Sequence, residues 1–228
     1  MKRTILLLSA ILVSATAVCQ QYSPRETWPF LYEHFHKGCT RTMDDTLISE
    51  SLFNITAKDG KLVYLGQGNI IMVPNMSRVY AARIENDVYA NIGGRMYLVL
   101  SETEDGMVVL WMDVDEDALN KSDIGYGKSS VASTQKLSTL AIDGGSMTNR
   151  SLDSFTNDKY SGKELPMKST YYLYVNNQLV RATKGDVMKV SGVDGKAAKE
   201  FFKQEKIKWK DVASLEKVLE FISSQIKE

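Results

Sequence analysis

The sequence predicts an α+β protein: a curled antiparallel β-meander, sandwich or partial barrel, followed by a hairpin and two to three C-terminal helices. Three observations predict it. Between residues 47 and 112, apolar and β-branched runs alternate with short polar turns, leaving no room for crossover helices. A tyrosine-rich run, Tyr171-Tyr172-Leu173-Tyr174-Val175, meets Asn176-Asn177 and turns back through Leu179–Ala182. Val212, Leu215, Val218, Leu219, Ile222 and Ile226 then recur at helical spacing and form one apolar stripe.

The first residues of the sequence read as an export signal. Lys2 and Arg3 precede an apolar run from Ile5 to Val18, interrupted only by small residues. That run is too short for a membrane span, which needs about 20 residues. Residues 1–19 are therefore read as a signal peptide, with three processing routes. Ala15-Thr16-Ala17 and Ala17-Val18-Cys19 both fit small-x-small cleavage, the second leaving Gln20 first. Lipid anchoring on Cys19 is disfavoured, because Val18 stands where Gly, Ala or Ser is wanted.

Residues 20–41 form an aromatic lead-in with Tyr22, Trp28, Phe30, Tyr32 and Phe35. Pro24 and Pro29 argue against a long helix there. The expectation is a segment that lays its rings over a sheet; the alternative is an aromatic platform for sugar or peptide. The antiparallel β domain spans 42–119. Its runs are Leu47–Thr56, Leu62–Leu65, Ile70–Val73, Arg78–Ile84, Val88–Ile92, Met96–Leu100 and Met107–Met112. Lys58-Asp59-Gly60-Lys61, Gly66-Gln67-Gly68, Pro74-Asn75, Glu85-Asn86-Asp87, Gly93-Gly94 and Glu104-Asp105-Gly106 separate them.

Residues 120–168 change composition to Ser, Thr, Gly, Asn and Asp, and read as a long polar connection with a weak strand near Thr139–Ile142. Connections of this length are uncommon unless functional or mobile, so Tyr126, Ser129 and Ser130 are candidate partner residues. Residues 169–228 resume order. After the hairpin, Thr183 is the expected N-cap of a short helix through Val190. Lys196–Glu205 forms a second helix, and Asp211 caps the third.

Composition excludes whole classes. The 228 residues carry 28 Lys+Arg against 28 Asp+Glu, and 43% are hydrophobic. That balance disfavours a disordered chain and a basic nucleic-acid binder. Two cysteines cannot build a disulfide scaffold, and removal of Cys19 would leave Cys39 the sole thiol. Cys39 is expected to be a small apolar filler.

Catalytic and ligand motifs mostly fail on their defining positions. Gly127-Lys128-Ser129 imitates a phosphate loop, but Ser122 stands where the first Gly is required. Gly66-Gln67-Gly68 has Ile71 in place of the third dinucleotide-loop Gly. Asp113, Asp115 and Asp117 mimic a calcium loop, yet Ala118 and Ile124 occupy the Gly and Glu positions, so an acidic turn opening a helix is expected. His34 and His36, with Cys39 or Asp44 nearby, are weak metal candidates; packing among aromatics is the favoured reading. No Gly-x-Ser-x-Gly elbow exists. Lys196, Lys199, Lys203 and Lys206 fall at helical spacing on one face; a solvated outer face is the favoured reading, and a basic stripe meeting phosphates of lipopolysaccharide or membrane lipid is the alternative. No cofactor is implied.

Ile124-Gly125-Tyr126-Gly127-Lys128-Ser129-Ser130-Val131-Ala132-Ser133-Thr134 lies between the hairpin-rich stretch and Tyr171-Tyr172-Leu173. Ile207-Lys208-Trp209-Lys210-Asp211 precedes the last helix. In that order these segments resemble a group of uncharacterised exported proteins of Bacteroidetes bacteria, over most of the mature chain. The resemblance implies a Gram-negative envelope location, periplasmic or outer-membrane associated, and carries no activity or site residues. Gln20 after the cleavage point and Asp45-Thr46-Leu47, an O-glycosylation pattern, match that phylum's exported proteins. The expected function is non-enzymatic binding or scaffolding of an envelope protein or glycan, with neither nucleic acid nor a transmembrane helix involved. The alternatives are a glycan or peptidoglycan hydrolase with paired carboxylates, and a metal-binding module.

Overall fold

The computed structural model describes residues 22–42, 47–122 and 150–226. The processing residues Ala17, Cys19 and Gln20, the loop residues Tyr126, Ser129 and Ser130, and the weak strand near residue 140 lie outside the described residues.

Among the described residues, eleven strands form one antiparallel sheet: β1 (His36–Thr42), β2 (Leu47–Ile55), β3 (Leu62–Gly66), β4 (Asn69–Met72), β5 (Val79–Ile84), β6 (Asp87–Ile92), β7 (Arg95–Thr103), β8 (Gly106–Val114), β9 (Arg150–Ser151), β10 (Met167–Val175) and β11 (Gln178–Arg181). The order is β11-β10-β8-β7-β6-β5-β1-β2-β3-β4-β9. Two meanders, β1 to β4 and β5 to β8, are thus joined where β1 pairs with β5 through Gly38↔Ile84, Cys39↔Arg83 and Thr40↔Ala82. The α-helices among the described residues are α1 (Glu116–Ser122), α2 (Leu152–Thr156), α3 (Lys184–Val187), α4 (Gly195–Gln204) and α5 (Val212–Ile226).

Local chemistry sets the turns. Gly93-Gly94 and Asn176-Asn177 have φ of 62° and 80°, and 48° and 59°. Positive φ at both central residues is what a twisted two-residue hairpin demands. The β2–β3 turn has a second role. Gly60, at φ +60°, presses against the Trp111 ring, and its carbonyl accepts the Met96 N–H at 2.9 Å. Lys61 Nζ donates to the Gly94 carbonyl at 2.7 Å. The β7–β8 ladder runs only as far as Leu98↔Leu110, and the turn packs beyond it against Trp111 and Met96 in a sheet curled into a half-barrel.

One face of the sheet carries two joined cores. Phe53, Ile55, Leu62, Ala82, Ile84, Tyr89, Met96 and Val114 fill the curl. Val108, Leu173 and Val175 meet Leu215, Val218, Leu219 and Ile222 of α5. Each of those four α5 side chains is fully buried, a contribution of about 1.5–3 kcal/mol apiece. A bulge between Val99 and Ser101 turns Ser101 to this face, where its hydroxyl donates to Glu216. On the opposite face Trp28 and Phe30 cover Val63 and Ile70, while Tyr97, Val109 and Trp111 form a separate cluster.

Three expectations need correction. The lead-in is more than a cover: its end, His36–Thr42, is β1, a central strand, so the β region starts before residue 42. Nor is it an aromatic platform, because Trp28 is 2% and Phe30 0% exposed. The polar connection does not run to residue 168. From Arg150 the chain forms β9 and α2, and Phe155 packs edge-on to Trp28 and Phe30. Asp115 caps α1 by accepting the Ala118 N–H at 3.1 Å, which is the helix start expected of the acidic turn. Among the described residues no helix is long and apolar enough to cross a membrane.

Candidate functional site

The densest polar chemistry gathers around residues 32–36, where the lead-in bends before entering β1. Asn54, fully buried on β2, holds that bend. Its Oδ1 accepts the Tyr32 N–H at 3.1 Å, and its Nδ2 donates to the carbonyls of Tyr32 and His34 at 2.9 and 3.0 Å. A carboxamide can do this because it supplies both an acceptor and two donors. Ahead of the bend the lead-in already runs against β2, where the Leu31 N–H donates to the Ile55 carbonyl.

Inside the curl, Tyr32 Oη donates to Asp87 Oδ2 at 2.5 Å and lies 2.6 Å from Tyr89 Oη. Burial pushes the Tyr32 phenol far up, and Tyr89 and Asp87 push it further. His36 packs edge-on to the Tyr32 ring, and its Nδ1 meets Glu85 Oε1 at 2.5 Å.

Outside the curl, Lys159 reaches back from the turn after α2. Its side chain is 5% exposed, and Nζ sits 3.8 Å from Glu33 Oε1 and 3.3 Å from His34 Nδ1. The ammonium also lies over the Trp28 and Tyr160 rings, at 4.8 and 5.2 Å. Desolvation lowers the Lys159 pKa from its ordinary value, against the opposing pull of Glu33. Tyr160 Oη donates to Glu33 at 2.6 Å, which lowers the carboxyl and raises the phenol. Arg25 ties the same segments by pairing with Glu164 at 2.9 Å and donating to the Gly162 carbonyl at 3.0 Å.

An open trough of about 750 Å³ crosses β5, β1 and β2, lined by Lys37, Cys39, Glu50, Leu52, Arg83 and Glu85 among others. Cys39 is a free, half-buried thiol facing Arg83 across the ladder, so it is less enclosed than an apolar filler would be. Lys37, Glu50 and Arg83 make no ion pair with any described residue. Leu52 remains 38% exposed.

The structure therefore separates the proposed metal ligands. His34 turns to Lys159 and Glu33, His36 to Glu85, and Cys39 to the trough. Among the described residues no three His, Cys, Asp or Glu side chains converge on one point. Lys159, Tyr160, Tyr32, Asp87 and Tyr89 carried no motif. The readable signal was the run of aromatics about Glu33 and His34, and it pointed to packing. No family model, curated protein or solved structure matches this chain.

Proposed function

We propose that this chain is an exported, non-enzymatic binding or scaffolding protein of the cell envelope, and that it meets a protein or glycan partner at the trough over β5, β1 and β2. One contrast carries the reading. The convergent ionisable groups are committed to each other, as Glu33–Lys159–Tyr160, Tyr32–Asp87–Tyr89 and His36–Glu85. The trough instead presents Lys37, Arg83 and Glu50 beside an exposed Leu52. Charges of both signs around an apolar contact suit the mixed surface of a protein or the hydroxyls of a glycan. Export rests on Lys2, Arg3 and the apolar run to Val18, with Gln20 as the new terminus and Cys19 removed unlipidated.

The test is crosslinking in envelope fractions with wild type and an Arg83→Glu/Lys37→Glu variant. Wild type should be found outside the cytoplasm, begin at Gln20 and give a discrete adduct that the variant loses. A cytoplasmic location, or adducts indifferent to both substitutions, would refute the reading. The rival reading is a glycan hydrolase with paired carboxylates, for which Glu50 is the trough carboxylate without an ion pair to a described residue. Release of reducing ends from peptidoglycan or glycans, abolished in Glu50→Gln, would replace the binding reading with that one.

A further inference from the structure

Helix α4 and the turn after it carry six exposed lysines: Lys196, Lys199, Lys203, Lys206, Lys208 and Lys210. Most acids of the same stretch are already committed. Asp194 caps α4 by accepting the Lys196 N–H at 2.8 Å, and Asp211 caps α5 by accepting the Ser214 N–H at 2.9 Å. Glu205 pairs with Lys217 at 2.6 Å. Glu200 is left to offset the lysines, none of which lies within ion-pair distance of a described carboxylate. Hydrogen bonds from Ser214 lower the Asp211 carboxyl, with a smaller contribution from the charge of Lys208.

Their geometry is linear. Ala198 and Phe202 turn α4's apolar side to the core, and Lys196, Lys199 and Lys203 follow one another along its outer side. From Lys196 to Lys203 the row spans about 10 Å at the helical rise, and Lys206 follows just past the helix end. It ends at Lys206-Ile207-Lys208-Trp209-Lys210, where cations alternate with half-buried apolar groups. Lys206, at φ +49°, makes the tight bend. Trp209 stands edge-on to Phe202 at 5.1 Å, and its indole N–H makes no hydrogen bond to a described residue.

From these observations we infer that the α4 row and its Trp209 tip form a docking surface for a membrane bearing anionic phospholipid headgroups. Lysines strung along a helix diverge, so they match a plane of phosphates better than one enclosed phosphate. A tryptophan with a free N–H and a snorkelling lysine on either side is the chemistry of a membrane interface. The remainder of the molecule orients the approach. Without Lys2 and Arg3 the chain has 26 basic and 28 acidic residues, whereas from Lys184 onward it has ten lysines against eight acids. The acidic excess thus belongs to the part of the chain before Lys184, which anionic headgroups repel. The inference is independent of the trough, and the failure of either leaves the other standing.

Sedimentation with vesicles tests it, using the exported form from Gln20. Binding is expected to phosphatidylglycerol-doped vesicles and not to phosphatidylcholine alone, with release as salt rises. Lys199→Ala/Lys203→Ala, two exposed changes verified by an unaltered melting curve, should lower the partition about 25-fold, or about fivefold per lysine. Tryptophan emission should shift to the blue on binding, and the shift should vanish in Trp209→Phe. Equal binding to neutral vesicles, undiminished binding by the lysine variant, or displacement by inorganic phosphate at matched ionic strength would each overturn the membrane surface.

Discussion

Tyr32 shows how one side chain can link the lead-in to the sheet and set a pH limit on the fold. Its hydroxyl bridges Asp87 and Tyr89 inside the curl. An unfolded tyrosine releases its proton near pH 10, its ordinary value, while the folded chain holds the Tyr32 proton to higher pH. Above pH 10 the folded state therefore binds more protons than the unfolded state, and stability falls as pH rises. Below pH 10 the contribution is fully present. Burial raises Tyr22 and Tyr97 too, so the alkaline loss is shared. Tyr32→Phe should cost about 1–2 kcal/mol at neutral pH, through the hydrogen bonds removed. It should also make the decline above pH 10 shallower. Denaturation midpoints measured across that range check both; an unchanged alkaline slope would show that Tyr32 is not held protonated by the fold. Lys159 illustrates the opposite case, a cation whose desolvation is offset by one carboxylate and two rings.

At the scale of the element, the β2–β3 turn ties one meander to the other through Gly60, Met96 and Trp111. A Cβ on Gly60 would stand 2.3 and 2.5 Å from Trp111 ring atoms, and φ +60° disfavours any L side chain. Gly60→Ala must therefore push the turn off Trp111 or strain the backbone, at a cost of about 1–3 kcal/mol. Gly68→Ala is the control: it shares a positive φ of +78°, but its Cβ would meet nothing within 4 Å. Thermal melts should place Gly60→Ala well below Gly68→Ala; equal losses would mean backbone strain alone matters. Turns of this kind were legible in sequence because Gly-Gly, Asn-Asn and Asp-Gly fix the local backbone. The β1–β5 pairing was not. His36–Thr42 buries Thr40 and Thr42 rather than an apolar row, and its β5 partners, from Val79 to Ile84, lie beyond three intervening strands. The site was illegible for the same reason. Lys159 is 125 residues from His34, and only the fold turns a lysine in a polar stretch into one enclosed by Trp28 and Glu33. The last helix was readable because its stripe is local and meets one continuous core.

For the whole molecule, the question is whether the half-barrel and the helical end fold as one unit. The two cores share strands: Leu98 and Leu100 of β7 point into different clusters, as do Met112 and Val108 of β8. A rigid strand common to both cannot lose one side and keep the other intact, so unfolding should be cooperative. Leu219 tests this from the helical side. It is fully buried and packs by the β7–β8 turn, near Gly106, whose Cβ-less backbone lets the Tyr174 carbonyl approach. Leu219→Ala should destabilise by about 2–5 kcal/mol through lost contacts and the cavity left behind. The three tryptophans make the readout local: Trp28 and Trp111 report opposite ends of the sheet's outer face, and Trp209 reports the helices. Near-ultraviolet and far-ultraviolet circular dichroism and fluorescence should all move to one lower midpoint. If the helical signal were lost first while the sheet tryptophans kept their wild-type transition, the shared strands would not be coupling the cores, and the helical end would be a separate domain. Coupling has a functional consequence, because the α4 lysine row and the trough would then sit on one rigid body. A molecule held at a membrane by the row would present its trough in a fixed orientation, as a scaffold requires.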